Sequence, residues 1–90
     1  MSEWRPIEAY EGVYSVSDDG MVQRSGKEAV RGNPNKDGYR QIALWKDGAR
    51  KMRMVHDLVA RAFLGEPPSA EHQPNHKDGD KENNATSNLE

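Results

Sequence analysis

The residues able to do chemistry gather near the end of the chain, in Asn75-His76-Lys77-Asp78-Gly79-Asp80-Lys81-Glu82-Asn83-Asn84, with Asn88-Leu89-Glu90 closing the stretch. An imidazole near neutral pH can take a proton from water, so His76 is a candidate general base. Asn75, beside it, offers a hard oxygen to a metal ion. Asn88 stands twelve residues after His76 and carries an amide that can fix a loop through several hydrogen bonds. A base, an oxygen ligand and a fixing amide on a tight hairpin are parts with which a single-metal site hydrolyses a phosphodiester. Asp78-Gly79-Asp80 also begins like a Ca²⁺ loop, but the twelfth position, which needs a bidentate Glu, is Leu89. Asn83 and Asn84 read as turn formers rather than ligands.

These residues need elements to hold them. From Glu71 onward apolar residues nearly vanish, and composition alone gives a segment with too little to bury. A small metal-organised hairpin is the alternative, since metal binding orders segments that lack a core. Upstream the pattern is richer. Trp4 and Ile7 open a short segment that packs back on the domain. Val13 to Ser17 alternates, Asp18-Asp19-Gly20 turns, and Met21 to Arg24 returns as a first hairpin. Residues 25 to 37 form a loop with a short strand at Ala29-Val30. A second hairpin runs from Tyr39 to Trp45, turns at Lys46-Asp47-Gly48, and returns from Ala49 to Met54. By parity, Ile42, Leu44, Met52 and Met54 face the core, and Tyr39, Gln41, Trp45, Lys51 and Arg53 form an aromatic and basic outer face. Val55, Leu58, Val59, Ala62 and Phe63 recur at helical spacing, which predicts a helix over 55–64. His56 and Arg61 lie off that stripe, and His56 reads as a packing or capping residue. Gly65-Glu66-Pro67-Pro68 ends the helix and starts a linker, and His72 is expected in solvent.

Ninety residues, a third of them apolar, make one small unit with a thin core. No Cys is present, which excludes disulfides and thiolate metal sites. No apolar run reaches membrane length and no signal peptide is visible, so no membrane partner is expected. The net charge of −2 hides an uneven distribution. Between Arg24 and Arg53 the basic residues, Arg40 and Lys51 among them, are opposed only by Glu28, Asp37 and Asp47. Such a basic middle can follow a phosphate backbone. It suits a solvated sheet face equally. Arg40, Trp45, Lys51 and Arg53 are the candidate nucleic-acid contacts, with Trp45 able to stack on a base.

The closing segment resembles the HNH endonuclease family of the ββα-metal fold. Trp4, Ile7 and Tyr10 to Val22 resemble the short N-terminal module that accompanies phage and intron-encoded homing endonucleases of that family. Gly38-Tyr39 and Val55 to Phe63 follow the same pattern. The resemblance covers almost the whole chain and implies an α+β fold: a small antiparallel sheet of two hairpins packed on one α-helix over 1–64, then a linker and a partial HNH hairpin over 65–90. By resemblance His76 is the general base, Asn75 stands at a metal-ligand position, and Asn88 fixes the loop that orients the base. The implied cofactor is one divalent ion, Mg²⁺ or Mn²⁺, with no small-molecule cofactor. The implied partner is DNA, and the setting is the cytoplasm of a bacterial or phage-infected cell. Lys77 replaces the usual apolar residue, and the family's last ligand lies on a helix beyond Asn88. The expected function is the DNA-binding part of a homing-type endonuclease whose parent reaction is metal-dependent phosphodiester hydrolysis, this chain being inactive alone. Two other readings compete: a non-catalytic, phage-type binding or inhibitory protein on the same scaffold, and a structural remnant without affinity for DNA.

Overall fold

The computed structural model of the chain describes residues 3–65 and 74–90. The expected linker Glu66-Pro67-Pro68 and His72 lie outside the described residues. Six strands form two antiparallel sheets of three, β1-β2-β3 and β4-β5-β6. They are β1 (Trp4–Pro6), β2 (Tyr14–Ser17), β3 (Val22–Arg24), β4 (Asn33–Pro34), β5 (Arg40–Lys46) and β6 (Ala49–Met54), followed by one helix, α1 (Val55–Phe63), and a 3₁₀ turn over Thr86–Asn88. Each hairpin read from the sequence is thus extended by a short edge strand. Pro6 and Pro34 both lie on such edges, where a missing N–H breaks no ladder. Ala29-Val30 contributes only a bridge, Val22 to Val30.

In the first sheet Val16 pairs with Val22, and both are fully buried. The turn between their strands closes through Gly20 N–H on the Ser17 carbonyl at 3.1 Å. In the second sheet the register overturns the parity reading. Lys46 pairs with Ala49, so Asp47 and Gly48 alone make the turn. Both have positive φ, 53° and 78°, as the tight turn matched to strand twist requires. Even positions on β5 therefore face odd positions on β6. Ile42 pairs with Arg53 and Leu44 with Lys51, while Trp45 pairs with Arg50 and Ala43 with Met52. Cross-strand partners share a face. Met52 accordingly sits on the outer face, 40% exposed, beside Trp45 at 47%. Lys51 and Arg53 lie on the side of Leu44, which is fully buried.

Helix α1 starts directly from β6, with Asp57 in its first turn and Arg61 in its last, as the helix dipole favours. It ends as the Leu64 N–H bonds the Ala60 carbonyl at 2.7 Å. Val55, Leu58 and Val59 are buried, and Ala62 and Phe63 pack partly against the same cluster. That cluster joins Ile7, Tyr10, Tyr14, Val16 and Val22 of the first sheet to Leu44 of the second. The Tyr14 hydroxyl accepts the Trp45 N–H at 3.1 Å, tying one sheet to the other. Leu89, from the polar closing segment, belongs to the cluster at 2% exposure.

Candidate active site

The closing segment is a loop zipped at its base. His76 bridges Leu89 in antiparallel fashion. Asn75 and Glu90 exchange backbone bonds of 3.0 and 3.1 Å, and Lys77 N–H reaches the Asn88 carbonyl at 2.8 Å. Inside the loop, polar side chains replace the missing apolar core. The Asn88 amide donates to Asp78 Oδ1 at 3.0 Å and to the Asn83 carbonyl at 2.9 Å, and its Oδ1 accepts the Asp78 N–H at 3.2 Å. Asp78 also accepts from the Asn83 amide at 2.9 Å and the Asp80 N–H at 2.8 Å. These donors, the Asn83 amide foremost, hold the Asp78 carboxyl below the usual carboxylate range.

The loop carries His76 inward, to 8% exposure. Its Nε2 lies 2.7 Å from Asn84 Oδ1, and Asn84 is itself 3% exposed. An amide oxygen only accepts, so Nε2 carries the proton of the neutral ring and Nδ1 keeps the lone pair. That is the atom able to take a proton from water. Asn84 was read from the sequence as a turn former. The structure makes it the hydrogen-bond partner of the His76 ring, and the second of two consecutive Asn carries no sequence signal for that. His56 is also not the peripheral residue its position off the stripe suggested. It is 5% exposed, and its ring packs 5.1 Å from that of His76 and 5.2 Å from Tyr39. Burial first, and the neighbouring His76 second, push the His56 imidazole below its ordinary value.

Contacts from the upstream sheets seat the loop. Thr86 N–H donates to the Asp18 carbonyl at 2.7 Å. Lys81 Nζ donates to the Asp37 carbonyl at 2.9 Å and lies 4.8 Å from the Tyr39 ring centre. Arg40 pairs with Glu82. Of the candidate nucleic-acid contacts, Arg40 and Arg53 thus have carboxylate partners within the chain, Arg53 on Asp57 at 3.1 Å. Trp45 and Lys51 are exposed on opposite faces of the second sheet.

Asn75 is exposed, and its Nδ2 donates to Glu90 Oε1 at 2.9 Å, leaving the amide oxygen for another partner. The donors at this corner are hard oxygens, an amide and a carboxylate, which fit a hard divalent ion. No group of three His, Cys, Asp or Glu able to hold a metal occurs among the described residues. The corner therefore fits part of a coordination shell for a hard divalent ion, the rest of which water or phosphate would complete.

Comparison with known proteins fits this geometry. Residues 53–90 match the HNH endonuclease family and residues 3–45 match the NUMOD4 motif. The chain belongs to the HNH endonuclease family. It is 45% identical over 89 residues to the DNA endonuclease I-HmuI of Bacillus phage SP01, covering 97% of this chain and 50% of that protein. It is 36% identical over its whole length to the uncharacterized HNH endonuclease L245 of Acanthamoeba polyphaga mimivirus, covering 27% of that protein. The solved structure of I-HmuI, described as DNA binding and cleavage by an HNH homing endonuclease, superimposes with a TM-score of 0.86 at 40% identity, over 97% of this chain and 50% of that one. The chain thus spans half or less of the length of these HNH relatives. The α+β architecture expected from the resemblance is the one observed.

Proposed function

We propose that this chain is the DNA-binding and base-bearing portion of an HNH homing-type endonuclease whose reaction is metal-dependent hydrolysis of a DNA phosphodiester. The observation that carries the reading is the buried His76 ring, with Nε2 on Asn84 and Nδ1 left as the base. His76 Nδ1 takes a proton from a water. The resulting hydroxide attacks phosphorus, and the bond to the leaving oxygen breaks. Asn84 keeps the ring in the productive tautomer, and Asn88 holds the loop that carries it. Asn75 and Glu90 would hold the divalent ion that HNH endonucleases depend on, Mg²⁺ or Mn²⁺ on hard-oxygen grounds. When bound, that ion supplies positive charge to the phosphate and to the leaving oxygen.

DNA is the partner, met in the cytoplasm of the host cell. Trp45 and Arg50 share an exposed face of the second sheet, and Lys51 extends from its other side near the turn. A stacking ring beside an exposed cation, here Trp45 beside Arg50, is how a sheet holds nucleic acid without reading sequence. Arg40 and Arg53 would act there by shaping the sheet through their ion pairs, or by exchanging those partners for phosphate.

The test uses the complete protein that carries this chain, with Mg²⁺ or Mn²⁺ and supercoiled plasmid. His76→Ala is expected to slow nicking by about 10²–10⁴-fold, the range for loss of a general base. Nicking equal to the parent's would reject the reading. DNA affinity should fall with rising salt and fall further in Trp45→Ala and Lys51→Ala; affinity indifferent to salt would reject the DNA interface.

A further inference from the structure

His56 is a buried histidine that the proposed reaction leaves without a task. It sits in the first turn of α1, and its Nδ1 is buried with no hydrogen-bond partner. An unsatisfied buried nitrogen costs stability, and an aliphatic side chain would fill the same space without that cost. Packing alone therefore does not account for an imidazole here.

Its neighbours supply the account. The His76 ring stands against it with planes at 66°, in the edge-on arrangement, and centroids 5.1 Å apart. Tyr39 leans on both, 5.2 Å from His56 and 6.0 Å from His76, tilted by 42° and 39°. The bond from Nε2 to Asn84 fixes one point of the His76 ring but leaves the ring free to swing about that point. A second ring packed against it at a steep angle limits that swing, because edge-on arrangements are among the geometries aromatic pairs prefer. An aliphatic side chain has no such edge. Burial first and the nearness of His76 second disfavour the charged form of His56, against a smaller opposing effect of Asp57.

We propose that His56 is a positioning residue, whose ring, packed against His76, holds that imidazole in the plane that keeps its Nε2 on Asn84. The proposal rests on the reading of His76 as general base.

The test separates position from packing with His56→Leu, which fills the volume but has neither the edge nor the unsatisfied nitrogen. In the ¹⁵N-labelled chain, ring-nitrogen shifts report the His76 tautomer directly. In the parent they should show protonated Nε2 and bare Nδ1, with ring-proton contacts from His76 to His56. In His56→Leu they should move toward a tautomer average while the thermal midpoint stays at or above the parent's. In the complete protein, kcat for nicking should fall by about ten-fold or more, since small misplacements near the chemistry are costly. KM for DNA should stay within about two-fold, because no binding group is removed. Unchanged His76 shifts in His56→Leu overturn the proposal, as does a loss confined to KM. If the variant does not fold, the parent spectrum decides: an averaged His76 ring without contacts to His56 overturns it. Should His76→Ala leave nicking intact, the base assignment fails on its own, and the ring-nitrogen shifts still decide whether His56 positions His76.

Discussion

Each important side chain of the site sits where its chemistry is forced by one neighbour. Asn84 is the plainest case. It is buried, and its Oδ1 lies 2.7 Å from His76 Nε2. In Asn84→Ala a buried imidazole nitrogen loses its acceptor, which costs about 1–3 kcal/mol. Stability by urea should drop by that amount, and nicking by the complete protein should fall as the tautomer is released. Retention of both would mean that Asn84 only fills space. His56 has a consequence for acid stability. Its folded value lies below the unfolded one, so on acidification the unfolded chain takes up a proton that the folded chain refuses. The stability this group contributes is complete above the ordinary histidine range and is lost as pH falls through it. The urea midpoint is expected to fall between about pH 8 and about pH 5, and to fall less in His56→Leu. An equal fall in both would assign the acid sensitivity to other groups. From the sequence, His76, Asn75 and Asn88 stood out because imidazole and amide at a fixed spacing are rare enough to notice. Asn84 and His56 did not, since what marks them is who they touch after folding.

Elements were legible where local chemistry decides them and misread where a single pairing decides them. Helix α1 follows from its apolar spacing, and the first hairpin from Asp18-Asp19-Gly20. The second hairpin is legible too, but counting along each strand misassigns its faces. Counting cannot tell a two-residue turn from a three-residue one, and the difference of one residue exchanges the faces of a whole strand. Asp47-Gly48 is the two-residue case, so Met52 turns outward and Arg53 inward to Asp57. This register makes a sharp contrast. Met52→Lys should change stability by no more than about 0.5 kcal/mol, as for a surface substitution away from special features. Leu44→Ala should cost about 2–5 kcal/mol, because Leu44 is fully buried. If Met52→Lys were the more damaging of the two, the parity assignment would be right and the observed register wrong. The loop over 76–89 was hardest to read. Its order comes from Asp78, Asn83 and Asn88 satisfying one another, and composition scores those residues as solvent-loving whether or not they find partners.

At the scale of the whole molecule, the closing segment and the first hairpin are built against each other across more than sixty positions of sequence. Gly20 has φ +90°, and a Cβ placed there would lie 2.9 Å from Asn84 Cβ and 3.1 Å from its carbonyl carbon. The turn that closes the first hairpin thus touches the residue that sets the His76 tautomer. Gly26 offers an internal control, with φ +80° and open space around its added Cβ. Gly26→Ala should carry only the backbone strain of a left-handed residue, about 1 kcal/mol. Gly20→Ala carries that strain plus a clash with atoms that cannot all retreat, because Asn84 is held by His76 on one side and by the chain on the other. Its cost should exceed that of Gly26→Ala by about 1 kcal/mol or more, in the range of overpacking. The more telling readout is at a distance. Gly20→Ala should disturb the His76 ring-nitrogen shifts and lower nicking by the complete protein, while Gly26→Ala should leave both as in the parent. Equal effects of the two substitutions on His76 would show that the first hairpin and the loop over 76–89 are merely adjacent. Unequal effects would show that the placement of His76 depends on a turn more than fifty positions before it in the sequence.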